Sequence, residues 1–470
     1  MAKVRLSEKI GYGFGDMSSS MFWKIFSYYL PFFYSNIFGL SLAHAGTLVL
    51  VTKLYDAISD PVMGLIADRT CTRWGKYRPY LLWMAVPFAV AGVLAFYTPQ
   101  TDSYTFRHIY AYVTYILMMT VYTAVNVPYG AMLGVMTDDS REKSVFSSFR
   151  MFFAFIGGFI AMGAFEPLLK LRSSVLGTLP ENWTLSDSAP ADWTLALTVI
   201  GCVCAILFVL SFLMTREHVT EAEMAGERVV AESPERQASV WNDLKCLVRN
   251  APWWLLLGGG VSILLFNCIR GGAAAYYFTD VLGTNAIYTL AAFLTVGEIS
   301  QLIGVVVTVP ISERIGKKNT FIAVLALLTV LSVAVAFLPD NAAGMWALMG
   351  IQVLICIAIG INSPLLWSMF ADVAEYSEYK NGSSSTGLIF SSSSMAQKFG
   401  AAFGSAIVLW VLMAFGYDNA KGAVQSEEAL ATIKALMSWI PAIGSAVGII
   451  IMTFYPLTGK KMREISEKRG

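Results

Sequence analysis

Residues 43–67 read AHAGTLVLVTKLYDAISDPVMGLIA, an apolar run long enough to cross a bilayer with Lys53, Asp56 and Asp60 inside it. A helix needs about 20 residues to span the hydrocarbon core. The three charges are spaced three and four apart, which puts them on one helical face with Ser59 beside them. Each charge costs roughly 2.5–3.5 kcal/mol at the bilayer centre unless it is paired or hydrated. Two carboxylates against one ammonium leave a surplus negative charge, which a bound monovalent cation or a proton can neutralise. A purely structural ion pair needs only one of the two acids.

The same length test along all 470 residues predicts twelve spans. They lie near 11–37, 43–67, 79–98, 108–134, 146–169 and 193–215, then near 252–280, 287–311, 320–338, 342–372, 387–415 and 430–455. Runs this long and unbroken are helices, whereas barrel strands alternate over about ten residues. The expected fold class is therefore an all-α membrane protein. Composition agrees, with 56% hydrophobic residues, 14% charged residues and a mean hydropathy of +0.59. Soluble proteins carry roughly 25% charged residues. Soluble enzymes, secreted disulfide scaffolds and disordered chains are excluded. A net charge of +1, with basic residues in short loops, gives no footprint for nucleic acid. Cys71, Cys202, Cys204, Cys246, Cys268 and Cys356 form no CxxC and read as small hydrophobes rather than a metal or redox site. The first span carries Asp16 and Lys24 and no small-residue cleavage site, so it does not read as a removable signal.

Basic residues set the expected orientation. With both termini in the cytoplasm, inner loops hold Arg69, Arg73, Lys76, Arg78, Arg141, Lys143, Arg314, Lys317, Lys318 and Lys380. Outer loops hold little beyond Arg107, Lys170, Arg172 and Lys421, the asymmetry of the positive-inside rule. The polar stretch 216–250 reads as a cytoplasmic loop between six-helix bundles at 1–215 and 251–457, with a cytoplasmic tail at 458–470. The halves repeat weakly. Arg73-Trp74-Gly75-Lys76 and Arg314-Ile315-Gly316-Lys317 are 241 residues apart, and Asn126-Val127-Pro128 and Asn362-Ser363-Pro364 are 236 apart. Two landmarks at nearly one offset predict a duplicated six-helix unit, the pattern of a two-bundle transporter.

Other charges inside the spans include Asp16, Lys24, Arg150, Arg270, Glu298 and Lys398, from different helices. Arg270 and Glu298 could satisfy each other. Arg150 and Lys398 are candidates for the substrate, because both donate hydrogen bonds well to sugar hydroxyls and carboxylates. Trp367 offers either a stacking face for a sugar ring or a packing surface between helices. In the inner loops, Asp68, Arg69, Arg73, Lys76 and Arg78 with Asp138, Asp139, Arg141 and Glu142 could form ion pairs that close a cytoplasmic gate, or could simply signal topology.

Asp56-Ala57-Ile58-Ser59-Asp60-Pro61-Val62-Met63-Gly64, followed by Asp68 and Arg73-Trp74-Gly75-Lys76-Tyr77-Arg78-Pro79, closely resembles the hallmark of the glycoside–pentoside–hexuronide:cation symporters of the major facilitator superfamily. Asn126-Val127-Pro128-Tyr129-Gly130, Arg150, Ala371-Asp372-Val373-Ala374-Glu375-Tyr376-Ser377-Glu378-Tyr379 and Lys398 match further positions in order, across essentially the whole chain. The resemblance implies twelve transmembrane helices in two pseudo-symmetric bundles. It implies that Asp56 and Asp60 hold the coupling cation, Na+ or H+, with Ser59 and Thr123 as neighbouring ligands and no cofactor. It places Arg150 and Lys398 at the sugar site, which on position and chemistry also takes in Asp16, Ser20, Lys24, Asn126, Arg270 and Trp367. Melibiose-transporting members have Asp at the positions of Ser20 and Asn126 and Trp at that of Gly130. The Asn-Val-Pro-Tyr form and Trp367 are more similar to the pentoside and glucuronide carriers. Cys268-Ile269-Arg270-Gly271-Gly272 resembles the pentoside branch, and Arg314-Ile315-Gly316-Lys317-Lys318-Asn319-Thr320 the glucuronide branch.

The expected function is cation-coupled symport of a pentoside, hexoside or hexuronide across a bacterial inner membrane, with the bilayer and the sugar as partners and no obligate protein partner. The alternatives are a proton-coupled exporter of amphipathic compounds, a non-transporting sugar sensor and a membrane enzyme. Against an enzyme, the chain has no HExxH, GxSxG or P-loop, and His44, His108 and His218 are expected to lie far apart, near loops.

Overall fold

The computed structural model describes residues 5–70, 72–137, 140–180, 183–217, 247–283, 288–339, 341–381, 386–420 and 423–467. The expected middle loop lies outside these residues over 218–246. Among the described residues twelve helical spans follow in order. In the first half they are α1 (Leu6–Tyr28, prolonged by Leu30–Phe32 and a π turn, Phe33–Ile37), α2 (Leu42–Arg69), α3 (Arg78–Trp83 and Ala85–Ala95), α4 (Tyr104–Met136), α5 (Ser140–Val175) and α6 (Pro190–Met214). In the second half they are α7 (Ala251–Tyr276 with a π turn, Tyr277–Leu282), α8 (Leu290–Ile315), α9 (Lys317–Val335), α10 (Ala342–Asn381), α11 (Thr386–Ala414) and α12 (Glu427–Met437 and Trp439–Thr453).

Among the described residues nine helices are long and apolar enough to cross a membrane. Of the remaining spans, α2 carries Lys53, Asp56 and Asp60, and α3 is interrupted at Met84. Several helices overrun their expected ends: α10 continues to Asn381 rather than stopping near 372. Hydropathy marks only the apolar part of a helix, and polar residues such as those of Glu375–Asn381 remain helical beyond it. A short amphipathic helix, α13 (Gly459–Glu467), occupies the expected tail and buries Ile465.

By residue contacts the chain divides into two units. The first comprises Met1–Thr220, Ala274–Thr295 and Ser405–Thr432, and the second Glu221–Ala273, Val296–Gly404 and Ile433–Gly470. In the first unit α1 packs on α5 and α6, α3 on α6, and α2 on α4. Its core is aromatic: Trp193, fully buried, stacks on Phe96 at 5.9 Å and meets Phe33 and Phe165. The face of α2 opposite its charges exposes Ile58, Val62, Leu65 and Ile66, an apolar stripe suited to lipid. In the second unit α9 packs on α10 and α12 around Phe321, Leu325, Phe370 and Met452.

The two landmarks of the internal repeat recur in three dimensions. Gly75 (φ +117°) and Gly316 (φ +83°) each occupy a left-handed backbone position in the turn from the second to the third span of a half. Pro128 and Pro364 lie inside α4 and α10. The first span of each half ends in a π turn.

In the second unit α8 and α10 cross at Gly304 and Gly360. A Cβ on Gly304 would meet the Ile357 carbonyl at 2.2 Å, and one on Gly360 the Gln301 carbonyl at 2.1 Å. Neither backbone can move aside cheaply, so overpacking should cost about 1–3 kcal/mol or more. Gly360→Val should lower the melting temperature in detergent by several degrees. Gly350→Ala, whose Cβ would meet nothing within 4 Å, should leave it unchanged.

Candidate functional site

The hallmark residues of α2 meet α4 around one hydroxyl. Thr123 Oγ1 lies 2.8 Å from Asp56 Oδ1 and 3.2 Å from Asp60 Oδ1, with Ser59 Oγ at 3.3 Å. Ser59 donates back to the Asp56 carbonyl at 3.0 Å. Asp56 and Thr123 are buried. A hydroxyl carries a single proton, so Thr123 by itself donates to one carboxylate at a time. Pro61 and Pro128 lack an N–H, which deprives the carbonyls of Ala57 and Ala124 of their helical donors beside this cluster. The result is a concentration of hard oxygen ligands, suited to a monovalent cation or a proton. Among the described residues no group of three or more His, Cys, Asp or Glu is placed to hold a metal ion. One turn away Lys53 is buried, with its ammonium 5.0 Å from the Trp23 ring centre and 3.5 Å from Ser405 Oγ.

A second cluster joins α1 to α5. Arg150 Nε donates to Asp16 Oδ2 at 3.0 Å and a terminal nitrogen reaches Oδ1 at 3.5 Å, a two-pronged pair. The Arg150 side chain remains 36% exposed. It lies over the ring of Tyr129, which stacks on Tyr12 at 4.6 Å and donates its hydroxyl to the Tyr12 carbonyl. Sequence reasoning missed these tyrosines because nothing in their spacing joins α1 to α4. Ser20 is half-buried on α1, Lys24 lies 6.0 Å from the Tyr28 ring, and Asn126 donates to the Tyr122 carbonyl at 3.1 Å.

The remaining candidates belong to the second unit or its edge. Arg270 is buried, donating to Gln352 Oε1 at 2.8 Å and to the Met437 carbonyl at 3.5 Å. Its reading as half of a pair with Glu298 thus omitted Gln352, a neutral residue that a search for charges passes over. Trp367 packs on the second unit's core beside Phe370. Lys398 is half-buried on α11.

Comparison with known proteins decides the family. A family model described as MFS/sugar transport protein matches residues 11–459. The chain is 34% identical over 466 residues to the inner membrane symporter YicJ of Escherichia coli, covering 99% of this chain and 95% of that one. It is 31% identical over 470 residues to the isoprimeverose transporter of Lactiplantibacillus pentosus, covering 99% and 92%. It is 30% identical over 464 residues to the glucuronide carrier protein homolog of Escherichia coli, covering 97% and 93%. The chain belongs to the glycoside–pentoside–hexuronide:cation symporters. The fold is that of the major facilitator superfamily: the xylose transporter XylE superposes with a TM-score of 0.62 at 13% identity, covering 98% of each chain.

In the transporter's loop from α2 to α3 the described residues make contacts that the sequence did not indicate. The side chains of Asp68, Asp138, Asp139 and Arg141 lie outside the described residues. Arg73 lies over Trp74, Lys76 over Tyr77, and Arg78 over Phe212 while donating to the Phe212 carbonyl at 2.8 Å. Arg69 is exposed. An acid not anticipated here, Glu217 after α6, accepts from the backbone N–H groups of Lys76, Tyr77 and Arg78 at 2.7, 2.8 and 2.7 Å. A Cβ on Gly75 would come within 2.5 Å of that carboxyl and would have to displace it, while φ itself favours glycine there. Glu142 pairs with Lys9 of α1 at 2.7 Å. In the second unit Lys317, the counterpart of Lys76, pairs with Asp372 at 2.7 Å. His44 and His108, expected to be apart, meet edge to face at 4.3 Å because α2 and α4 lie side by side, while His218 is outside the described residues.

Hydrogen bonds to charged groups contribute about 1.5–3 kcal/mol each when buried, and less where water competes as it does at this loop. Glu217→Ala should therefore lower the transporter's melting temperature by a few degrees and speed proteolysis between Arg69 and Arg78. Glu217→Gln should recover only part, since its NH2 group cannot accept from the backbone donors.

Proposed function

We propose that this transporter carries a glycoside inward together with a monovalent cation, Na+ or H+, by alternating access, with both termini in the cytoplasm and the cation held at Asp56, Asp60, Ser59 and Thr123. The observation that carries the reading is the single Thr123 hydroxyl between two carboxylates, a grouping of hard oxygen ligands suited to a monovalent cation. The names of its relatives, which include symporters and an isoprimeverose transporter, support sugar symport. The excess of basic residues in the loops on the terminus side supports the orientation.

Coupling follows from linkage: a cation that raises sugar affinity must be bound more tightly in return, by the same factor. Asp56→Asn and Asp60→Asn should each abolish uphill accumulation of sugar while sparing much of its exchange down a gradient. Accumulation at the unmodified level in both variants would move the coupling site elsewhere.

For the sugar we infer a neutral glycoside. The five bases Lys24, Lys53, Arg150, Arg270 and Lys398 outnumber the four acids Asp16, Asp56, Asp60 and Glu298 by one, which would favour a hexuronide, although the buried Glu166 offsets that excess. The Asp16–Arg150 pair, however, balances Arg150 internally and leaves it a hydrogen-bond donor. In competition against a transported sugar, a glucoside should outcompete the matched glucuronide. Arg150→Gln and Lys398→Gln should each weaken binding roughly tenfold, the equivalent of about 1.4 kcal/mol, without inverting that preference. A glucuronide preference that collapses in either variant would establish the anionic substrate instead.

A further inference from the structure

At the end of the first unit remote from the chain termini, the two π turns are tied together. Ser35, in the turn that ends α1, lies with its hydroxyl 2.8 Å from that of Tyr276, where α7 passes into its own π turn. One residue on, Asn36 Nδ2 donates to the Tyr417 hydroxyl at 2.8 Å, and that hydroxyl donates to Asp280 Oδ2 at 2.8 Å. Burial and the neighbouring Asp280 push the Tyr417 phenol well above its ordinary range, so it remains a donor. Asn419, in the segment after α11, donates to the carbonyls of Ser35 and Leu40 at 2.9 and 2.8 Å. Nearby, the buried Glu166 of α5 accepts from the backbone N–H of Ala291, in the first turn of α8, at 3.0 Å. All of these links except the Tyr417–Asp280 bond join the first half of the sequence to the second.

We propose that these residues are a latch that closes the external mouth of the transporter, with Glu166, Asp280 and Tyr417 as its gating residues, broken and remade once in each cycle. The proposal rests on the alternating-access reading above, and on its orientation, which puts this end outside. The chemistry suits repeated opening. A polar cavity of about 240 Å³, lined in part by Asn36, Thr279, Asp280, Asn419 and Gln425, adjoins the Asp280 links. Water can therefore replace each protein partner as the groups separate, which keeps the cost of breaking them small. Glu166 has a different safeguard. Its other carboxylate oxygen accepts from Lys170 at 2.8 Å on the same helix, so it keeps a charged partner whether or not α8 is in place. Loss of the Ala291 contact then frees one N–H at a helix N-terminus without stranding a buried carboxylate. The π turns supply local backbone that departs from α geometry where the two halves join, as π turns at functional sites commonly do.

The test uses a cysteine at Ser20, deep on α1, in a chain whose native cysteines are replaced by serine. A membrane-impermeant maleimide is applied from outside to intact cells and from inside to inverted vesicles. Glu166→Ala and Tyr417→Phe should each raise the outside labelling rate roughly fivefold, the effect of losing about one hydrogen bond from the closed state. Glu166→Gln, which can still accept from Ala291, should fall between Glu166→Ala and the parent. Tyr417→Phe keeps the ring and changes only its hydroxyl, so it reports even if Glu166→Ala fails to accumulate. Labelling of the parent from inside, with no increase from outside in correctly folded variants, would overturn the latch and leave alternating access standing. A parent labelled from neither side, with or without sugar and cation, would overturn the transport reading and the latch with it.

Discussion

One hydroxyl between two carboxylates sets the terms for the rest of the molecule. Thr123 has one proton to give, and Asp56 and Asp60 both lie within its reach. In an apolar slab the charges of such a pair are tolerated only with added positive charge or water. Their presence on α2 therefore fixes which face of that helix turns inward, and it leaves Ile58, Val62, Leu65 and Ile66 for lipid. The same demand places α4 alongside, because Thr123 must come from a neighbouring helix.

Around this constraint the first unit is assembled from tight, specific crossings as well as an aromatic core. A lipid-facing protein cannot rely on expelling water to bring helices together, so close backbone approach and buried polar bonds do more of the work. Gly157 illustrates it: a Cβ there would lie 2.4 Å from the Met17 carbonyl, so α1 and α5 approach closely enough to set the Asp16–Arg150 pair. Trp193 and its aromatic neighbours fill the space that remains at the other end of the same helices.

The terminus-side loop and the remote end use different physics. At the loop, Glu217 is gripped by three backbone donors where Gly75 leaves room, a fixed joint between α6 and the start of α3. Its counterpart in the second unit is a side-chain pair, Lys317 with Asp372. At the remote end the bonds are neutral or singly charged and adjoin a polar cavity, which makes them exchangeable with water. The repeat thus conserves backbone geometry at Gly75 and Gly316 while the polar partners differ.

The sequence alone determined the spans, because bilayer thickness imposes a length that apolar runs must meet, and it picked out Lys53, Asp56, Arg270 and Glu298 as buried charges. The period of the helix was enough to put Lys53, Asp56 and Asp60 on one face, and the offset of two short motifs was enough to reveal the duplication. Glu166 was also within reach, since the rule that singled out Glu298 applies equally to an acid in the fifth span. Only tertiary structure decided partners. That Arg150 answers Asp16, that Arg270 turns to Gln352, that His44 meets His108 and that Asp280 lies beside Tyr417 are matters of which helices lie adjacent. Periodicity describes one helix about its own axis. The pairing of residues more than a hundred positions apart depends on how closely the backbones of different helices can approach, and small residues set that distance one crossing at a time.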